Sequence, residues 1–244
     1  MWWLRHDVAA VAEPTATHSA WLHQAHSHDI DELAAAQPDW QLQYEQLSRG
    51  RFDGAVQHVQ LPGVRLVLET TSQALRQRGR MGHAELGFAL GRAGGGAPYF
   101  HGQRVPADAI MIGRGDELDL TTPDAHQLIG LVVDQTLLGE LWLRLYQKPW
   151  SSWLDRKLVV PARAGLADPL RALHRGLMQR LADAPALLHD SRAVLQWRDA
   201  LLIEWLEALP ERVDAPDLKG VEARRTRNEG RVRRLESLRR ERAA

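Results

Sequence analysis

The stretch AVQHVQLPGVRLVLETT, residues 55–71, decides the fold class of this chain. Its two halves, Ala55–Leu61 and Val64–Thr70, are short, β-branched or alternating in polarity, and a Pro-Gly pair separates them. Short runs of this kind bounded by turn residues are typical of β-strands. We therefore expect two consecutive strands here.

Six further segments between Gln41 and Asp134 have the same character. They are LQYEQL, ELGFAL, YFHGQRV, AIMIG, ELDLT and HQLIGLVVD. Turn-rich segments lie between them, including the glycine-rich GRAGGGAP at residues 91–98. Eight short strands at this spacing predict a closed β-sandwich or jelly-roll barrel.

After Asp134 the apolar residues repeat with a period of about 3.6. Asp134, Asp168 (followed by Pro169) and Asp190 are the residue types that begin helices, and Pro210 would end the last one. The fold class is therefore α+β, with the β-barrel followed by a helical subdomain.

The two long helices each carry an apolar face. In the first it comprises Leu170, Leu173, Leu177, Met178 and Leu181; in the second it comprises Val194, Leu195, Trp197, Leu201, Leu202, Trp205, Leu206 and Leu209. A face this rich does not lie in solvent. Two interpretations stay open, packing on the body of the same chain and a dimer interface.

The chain divides into four parts: an N-terminal arm with a short helix (1–40), a β-barrel (41–134), the helical subdomain (135–212), and a linker with a basic tail (213–244). From Lys219 onward ten Lys and Arg residues stand against four Glu, so the tail carries +6 and the remainder −6. This change in charge places the tail outside the folded body.

Several function classes are disfavoured by composition. Cysteine is absent, which rules out disulfides and thiolate catalysis. There is no Gly-x-Ser-x-Gly elbow, and GRAGGGAP lacks the Gly-Lys-Ser/Thr of a phosphate loop. With no membrane-length apolar run and no signal peptide, we expect a cytoplasmic protein that is not an enzyme, with no catalytic residue and no cofactor.

Four histidines lie close together near the start, at His18, His23, His26 and His28. Imidazoles are metal ligands, but this spacing matches no standard zinc site and the segment precedes the first predicted strand. We expect a surface loop without fixed geometry and no metal site.

Alternation along VRLVLETT places Arg65 and Glu69 on one face of their strand, with Val67 between them. If that face lines the barrel interior, Arg65 and Glu69 would be polar anchors for a small ligand. The competing interpretation is a cross-strand ion pair on the surface. The pattern alone does not decide which face is inside.

Residues 102–126, GQRVPADAIMIGRGDELDLTTPDAH, resemble the second sequence motif of cupin barrels. Metal-binding cupins place histidines and a glutamate on neighbouring strands. Here the matching region offers only His101 and His126, outside the strand cores. A metal-free ligand barrel is the favoured interpretation.

A second resemblance covers roughly residues 29–216. The chain is similar to the sensor region of AraC-family transcriptional regulators, particularly the group of the ethanolamine-operon activator. The residues that carry it are Asp31, Glu32, Trp40, Tyr44, Gln46, Leu47, Gly50, Phe52, Gly54, Leu66, Glu69 and Thr70 through Leu75.

The AraC resemblance implies a cupin-like barrel that binds a small-molecule effector, and a homodimer formed through helices 165–210. In that family a domain with two helix-turn-helix motifs would follow, and we expect DNA as a partner only through that domain, which is missing here. The basic tail lies where it would begin. We hypothesise that the coding sequence was shifted or truncated near Arg225.

The sequence is therefore compatible with three functions. The first is the ligand-sensing and dimerisation portion of an AraC-type regulator. The second is a stand-alone cupin-type binding protein or a metal-dependent cupin enzyme. The third is a sensor that dimerises without binding DNA and interferes with full-length partners.

Overall fold

The computed structural model describes residues 20–37, 39–82, 85–92, 96–115, 117–154 and 158–209, apart from the side chains of residues 152 and 153. His18, residues 93–95 of the glycine-rich segment, Pro210 and the basic tail lie outside the described residues. The fold is α+β and is built from antiparallel sheets and helices.

The described residues contain twelve strands. In chain order they are β1 (Trp21–Ser27), β2 (Gln41–Gln46), β3 (Gly54–Leu61), β4 (Val64–Thr71), β5 (Leu75–Arg80), β6 (Glu85–Gly91), β7 (Tyr99–Phe100), β8 (Gln103–Arg104), β9 (Ala109–Arg114), β10 (Leu118–Thr122), β11 (His126–Asp134) and β12 (Val159–Pro161).

The helices follow mostly after the strands. They are α1 (Ile30–Ala35), α2 (Gln135–Tyr146), α3 (Ser151–Leu154), α4 (Ala167–Asp183) and α5 (Ser191–Ala208), with a 3₁₀ turn at Pro185–His189 between the last two.

The strands form two antiparallel sheets. Sheet A has the order β1-β3-β4-β11-β6-β9-β12, and sheet B has the order β2-β5-β10-β7-β8. The predicted hairpin over residues 55–71 is confirmed, with Leu61 opposite Val64 in the register. In the part of the chain that is described, no strand pair joins the two sheets, so they do not close into the single barrel expected from the sequence.

Alternation assigns the two faces of sheet A. Val59 and Leu66 belong to the large apolar core that includes residues of α4 and α5, whereas Val56 and Val67 pack with Tyr44 of sheet B. Because successive side chains of a strand point to opposite faces, sheet A is covered by helices on one side and by sheet B on the other. Polar residues between the sheets are therefore shielded from water by both layers.

Strand β1 corrects the expectation for the N-terminal arm. The segment with His23 and His26 is paired along its length with β3, from Trp21 opposite Gln60 to Ser27 opposite Gly54. The apolar pattern did not reveal this strand, because it is rich in polar side chains, lies at the edge of sheet A, and has six of its seven residues exposed or partly exposed. The predicted surface loop was wrong.

Two of the three predicted helix caps are confirmed. Asp134 accepts bonds from the backbone of Thr136 and Leu137, and Asp190 caps α5 in the same way. The third was wrong, since α4 begins at Ala167 and Asp168 lies within its first turn. The Asp168 carboxylate instead bonds the guanidinium of Arg171 at 2.7 Å.

The apolar face of α5 packs within its own chain. Its buried members include Val194, Leu201, Leu202, Trp205, Leu206 and Leu209. The packing on the same chain thus accounts for most of this face. Leu195 on α5 and Leu173 on α4 are the exceptions, with 41% and 46% of their surface exposed.

No described helix is both long and apolar enough to cross a membrane.

Candidate functional site

Glu69 is a buried carboxylate between the two sheets, with 5% of its surface exposed. Its Oε2 accepts hydrogen bonds from the Tyr44 hydroxyl over 2.7 Å and from Gln37 Nε2 over 3.1 Å. Its Oε1 accepts a bond from Gln77 Nε2 over 2.5 Å. Tyr44 and Gln77 belong to β2 and β5 of sheet B, and Gln37 follows α1, so one carboxylate joins three elements to sheet A.

Burial shifts the pKa values of Glu69 and Tyr44. Removal from water raises the pKa of Glu69, and the three donated hydrogen bonds counteract part of that rise. Burial, followed by the nearby Glu69 carboxylate, raises the pKa of Tyr44 well above its usual range. Tyr44 therefore keeps its proton and remains a hydrogen-bond donor to Glu69.

Gln37 connects Glu69 to His58, which is fully buried on β3. The amide nitrogen of Gln37 faces the oxygens of Tyr44 and Glu69, so its Oε1 is the atom that lies 2.6 Å from His58 Nε2. A carbonyl oxygen accepts only, which places the imidazole proton on Nε2. Burial first, then the charges of Arg65 and His23, lower the pKa of His58 to about 3. His58 is therefore neutral.

Two polar atoms beside this network are buried without a hydrogen-bond partner, Nδ1 of His58 and Nε1 of Trp40. The two rings meet edge to face with centroids 5.3 Å apart. The indole N–H is a donor, and Nδ1 of this tautomer is an acceptor. We call the set the interior polar cluster; its members are Gln37, Trp40, Tyr44, His58, Glu69 and Gln77.

Arg65 lies on the same face of β4 as Glu69 and is also buried, at 6% exposed. Its Nε donates to Gln60 Oε1 and its Nη2 to Asp39 Oδ2, each over 2.9 Å. Its guanidinium lies over the rings of Trp21 and Trp40, at 5.5 and 5.7 Å from their centroids. The alternative of a cross-strand surface ion pair between Arg65 and Glu69 is therefore not observed, because both side chains are buried and bond to other residues.

The interior polar cluster is connected to the helices through β4. His58 lies opposite Val67 in the β3–β4 register. On the other side of the sheet, His174 of α4 places its Nε2 3.1 Å from the Val67 carbonyl oxygen. Its Nδ1 accepts a bond from the indole N–H of Trp205 on α5 over 3.3 Å. Helix α4 thus contacts the strand position opposite His58 directly, and α5 is linked to that position through His174.

His101 and His126, singled out by the cupin-like motif, are not brought together in a ligand cluster. His101 stacks against Phe100 next to β7, and His126 is buried at the start of β11. Burial lowers the pKa of His126 to about 4, and its Nε2 has no hydrogen-bond partner. Neither residue contacts Glu69.

One group of three side chains among the described residues has metal-ligand spacing, and it lies at the exposed end of β1. His26, His28 and Asp53 place their ligand atoms within 4.8 Å of one another. His26 Nε2 is 2.6 Å from Asp53 Oδ1. The sequence did not predict this group, because its carboxylate comes from Asp53, which precedes β3 and is distant in sequence from the two histidines.

A search against models of known protein families finds no match for this chain. The sequence placed Glu69 and Arg65 on one face of their strand as candidate ligand anchors, without deciding whether that face is inside, and it missed their partners. Gln37 and Gln77 lie outside every predicted strand. The signal for His58 was present in AVQHVQL, because alternation places it on the same face as the apolar Val56.

Proposed function

We propose that this chain is the ligand-sensing and dimerisation portion of an AraC-type transcriptional regulator, with a cupin-like arrangement of its two sheets. The observation that carries the proposal is the buried pair of unpartnered atoms, Trp40 Nε1 and His58 Nδ1. An unsatisfied buried donor or acceptor costs about 1–3 kcal/mol. A ligand that satisfies both atoms recovers that free energy on binding.

The two atoms restrict the chemistry of the effector. Trp40 needs an acceptor and His58 needs a donor. A hydroxyl group or a primary amide supplies both, whereas a carboxylate supplies only acceptors and an ammonium group only donors. We therefore propose a small effector that presents a hydroxyl or a primary amide to this pair.

The network behind the pair supports recognition rather than catalysis. Glu69 has three hydrogen-bond donors of its own, and Gln37 fixes the proton of His58 on the far side of the ring. Groups held in this way are preorganised, which favours binding of a matching ligand. A metal-dependent cupin enzyme would need ligands that converge on one point, whereas His58 and Glu69 are bridged by Gln37.

Helices α4 and α5 would carry the dimerisation part of the proposed function. Trp205 and His174 are hydrogen-bonded in series to the Val67 carbonyl, opposite His58. A shift of β4 on ligand binding would therefore move α4 and α5, which carry the proposed dimer interface within residues 165–210. Differential contacts of this kind are what an effector needs in order to change a protein's assembly state.

A thermal-shift screen of small metabolites tests the sensor function, followed by titration calorimetry on wild type, W40F and W21F. Trp21 is the matched control, because it also contacts Arg65 but is not one of the two residues with unpartnered buried atoms. We expect at least one hydroxyl or amide compound to bind about tenfold more weakly to W40F and equally well to W21F. A screen without hits, or equal binding to all three proteins, contradicts the proposal.

A further inference from the structure

We propose that His26, His28 and Asp53 form a surface binding site for a divalent transition-metal ion of the zinc class. This site is separate from the interior polar cluster and does not depend on the proposed sensor function. It lies where the end of β1 meets the residue that precedes β3.

The distances between the ligand atoms fit one ion. His26 Nε2 and His28 Nδ1 lie 2.6 and 3.9 Å from the same atom, Asp53 Oδ1. In a tetrahedral zinc centre with bonds of about 2.0–2.1 Å, neighbouring ligand atoms are about 3.3 Å apart. These two distances lie on either side of that value, and all three ligand atoms lie within 4.8 Å of one another, so side-chain rotations can bring them to bonding positions around one ion.

The backbone on the β1 side is held in place. Ser27, between the two histidines, is buried and pairs with Gly54 in the sheet. Its hydroxyl accepts a bond from the backbone N–H of Asp29 over 2.9 Å and donates to Glu32 over 2.7 Å. Because Asp29 is also the N-cap of α1, His28 lies between two fixed residues.

The backbone on the β3 side is held equally well. The N–H of Asp53 donates to the Ser72 hydroxyl, and the N–H of Ser72 donates to the Asp53 carbonyl oxygen, each over 2.8 Å. The Asp53 carboxylate is thus presented from an anchored position. Preorganised ligands lower the entropic cost of metal binding.

The donor set indicates which ions would bind. Two imidazoles and one carboxylate suit zinc, nickel, copper or cobalt, whereas magnesium and calcium prefer sites made of oxygen atoms. The side chains of His26, His28 and Asp53 are 58, 51 and 56% exposed, so water can occupy the remaining coordination positions. The competing interpretation is an ordinary exposed His–Asp pair, which contributes little to stability.

The test is calorimetric titration of the full chain with zinc chloride near neutral pH, repeated with H26Q, D53N and the control H23Q. His23 lies on the same strand, but its Nε2 bonds the Ala36 carbonyl oxygen instead. We expect one zinc per chain, at least tenfold weaker binding by H26Q and D53N, and unchanged binding by H23Q. Thermal unfolding of each variant establishes that it is folded.

Cobalt gives a second readout, because visible absorption bands report how the ion is coordinated. We expect the bands of the wild-type cobalt complex to be lost in D53N and kept in H23Q, and magnesium in large excess to leave them unchanged. Zinc binding that survives D53N would overturn the proposal, because it would show that histidines alone hold the ion. The absence of one-to-one binding to the wild type would overturn it as well.

Discussion

His58 Nε2 donates to Gln37 Oε1 over 2.6 Å, and this bond determines which nitrogen of a buried imidazole carries the proton. The other nitrogen, Nδ1, is then a bare acceptor next to the unpartnered N–H of Trp40. Glu69 orients the Gln37 amide, because it accepts a hydrogen bond from the amide nitrogen of Gln37. One buried carboxylate thus determines that the proposed binding site presents an acceptor at His58 beside the donor at Trp40.

Replacement of Glu69 by glutamine tests this role. Both carboxylate oxygens accept bonds, so an amide group in either orientation sets an N–H against a donor from Tyr44, Gln37 or Gln77. We expect E69Q to lose about 1–3 kcal/mol of stability, which lowers Tm by roughly 3–10 °C for a chain of this size. The control is E45Q, at an exposed position of β2, and it should stay within about 0.5 kcal/mol of wild type.

Acidification should destabilise the protein through His174. Burial lowers the pKa of this residue from 6.5 to about 4, so between these values the unfolded chain binds a proton that the folded chain does not. Stability therefore falls as pH drops from about 6.5 toward 4, by up to about 1.4 kcal/mol per pH unit for this one proton.

The variant H174Q removes the titrating group and retains both a donor for Val67 and an acceptor for Trp205. Urea unfolding of H174Q between pH 4 and pH 7.5 should give a shallower loss of stability on acidification than wild type. H189Q, at an exposed position, controls for the loss of one histidine. Parallel pH profiles of wild type and H174Q would show that His174 does not titrate as described.

Arg171 should be essential for holding α4 on sheet A. Its Nε donates to the Gly91 carbonyl over 2.8 Å, and its other nitrogens bond Ala107 and Asp168. R171M leaves the buried Gly91 carbonyl without its donor and removes the bonds to Ala107 and Asp168, and we expect a loss of about 2–3 kcal/mol. R171K should rescue little, because an ammonium group cannot reproduce the planar fork of donors.

The matched control for R171M is R175M, one turn further along α4. Arg175 is exposed and bonds Gln127 Oε1 over 3.1 Å, so its replacement should change the unfolding free energy by less than about 0.5 kcal/mol. Chemical unfolding of the four proteins gives the comparison. Equal stability of R171M and R175M would contradict the role assigned to Arg171.

The proposed homodimer predicts a specific effect of the exposed leucines on α4 and α5. Leu173 and Leu195 are the large apolar side chains of these helices that are exposed, at 46% and 41%. We expect light scattering after size exclusion to give twice the chain mass for wild type, and the single chain mass for L173E or L195E. L143E, on α2 and 54% exposed, should remain dimeric. A monomeric wild type would end this part of the proposal.

Seven of the eight predicted segments coincide with strands of the structure to within one residue at each end, whereas the eighth, YFHGQRV, is divided by a turn at residues 101–102 into β7 and β8. The sequence pattern missed β5, since Arg76, Arg78 and Arg80 face solvent and Leu75 is its one large apolar residue. Alternation correctly placed Arg65 and Glu69 on one face of β4 but did not decide that this face is inside, and Gln77 could not be found because its strand was missed. Gln37 follows a helix and reaches Glu69 only through tertiary packing.

The sequence predicted a closed barrel, whereas the described strands form two separate sheets. Strand spacing located most of the strands, although it gave eight where the described residues contain twelve, and it does not indicate which strands pair with each other. Similarly, the register that brings Asp53 beside His26 depends on β1, whose polar residues conceal it. Short local patterns therefore located most strands and helices and singled out Glu69. The partners of Glu69 and of the histidines at the end of β1 depend on contacts between residues that are distant in sequence.

The most direct test of the sensor proposal is the indole resonance of Trp40 in protein labelled with ¹⁵N-tryptophan. The chain has nine tryptophans, few enough to resolve, and the W40F spectrum identifies the resonance of Trp40. On titration with a hydroxyl or amide compound from the thermal-shift screen, we predict that this resonance shifts and saturates together with binding. A compound that binds while the Trp40 resonance stays in place would contradict the account.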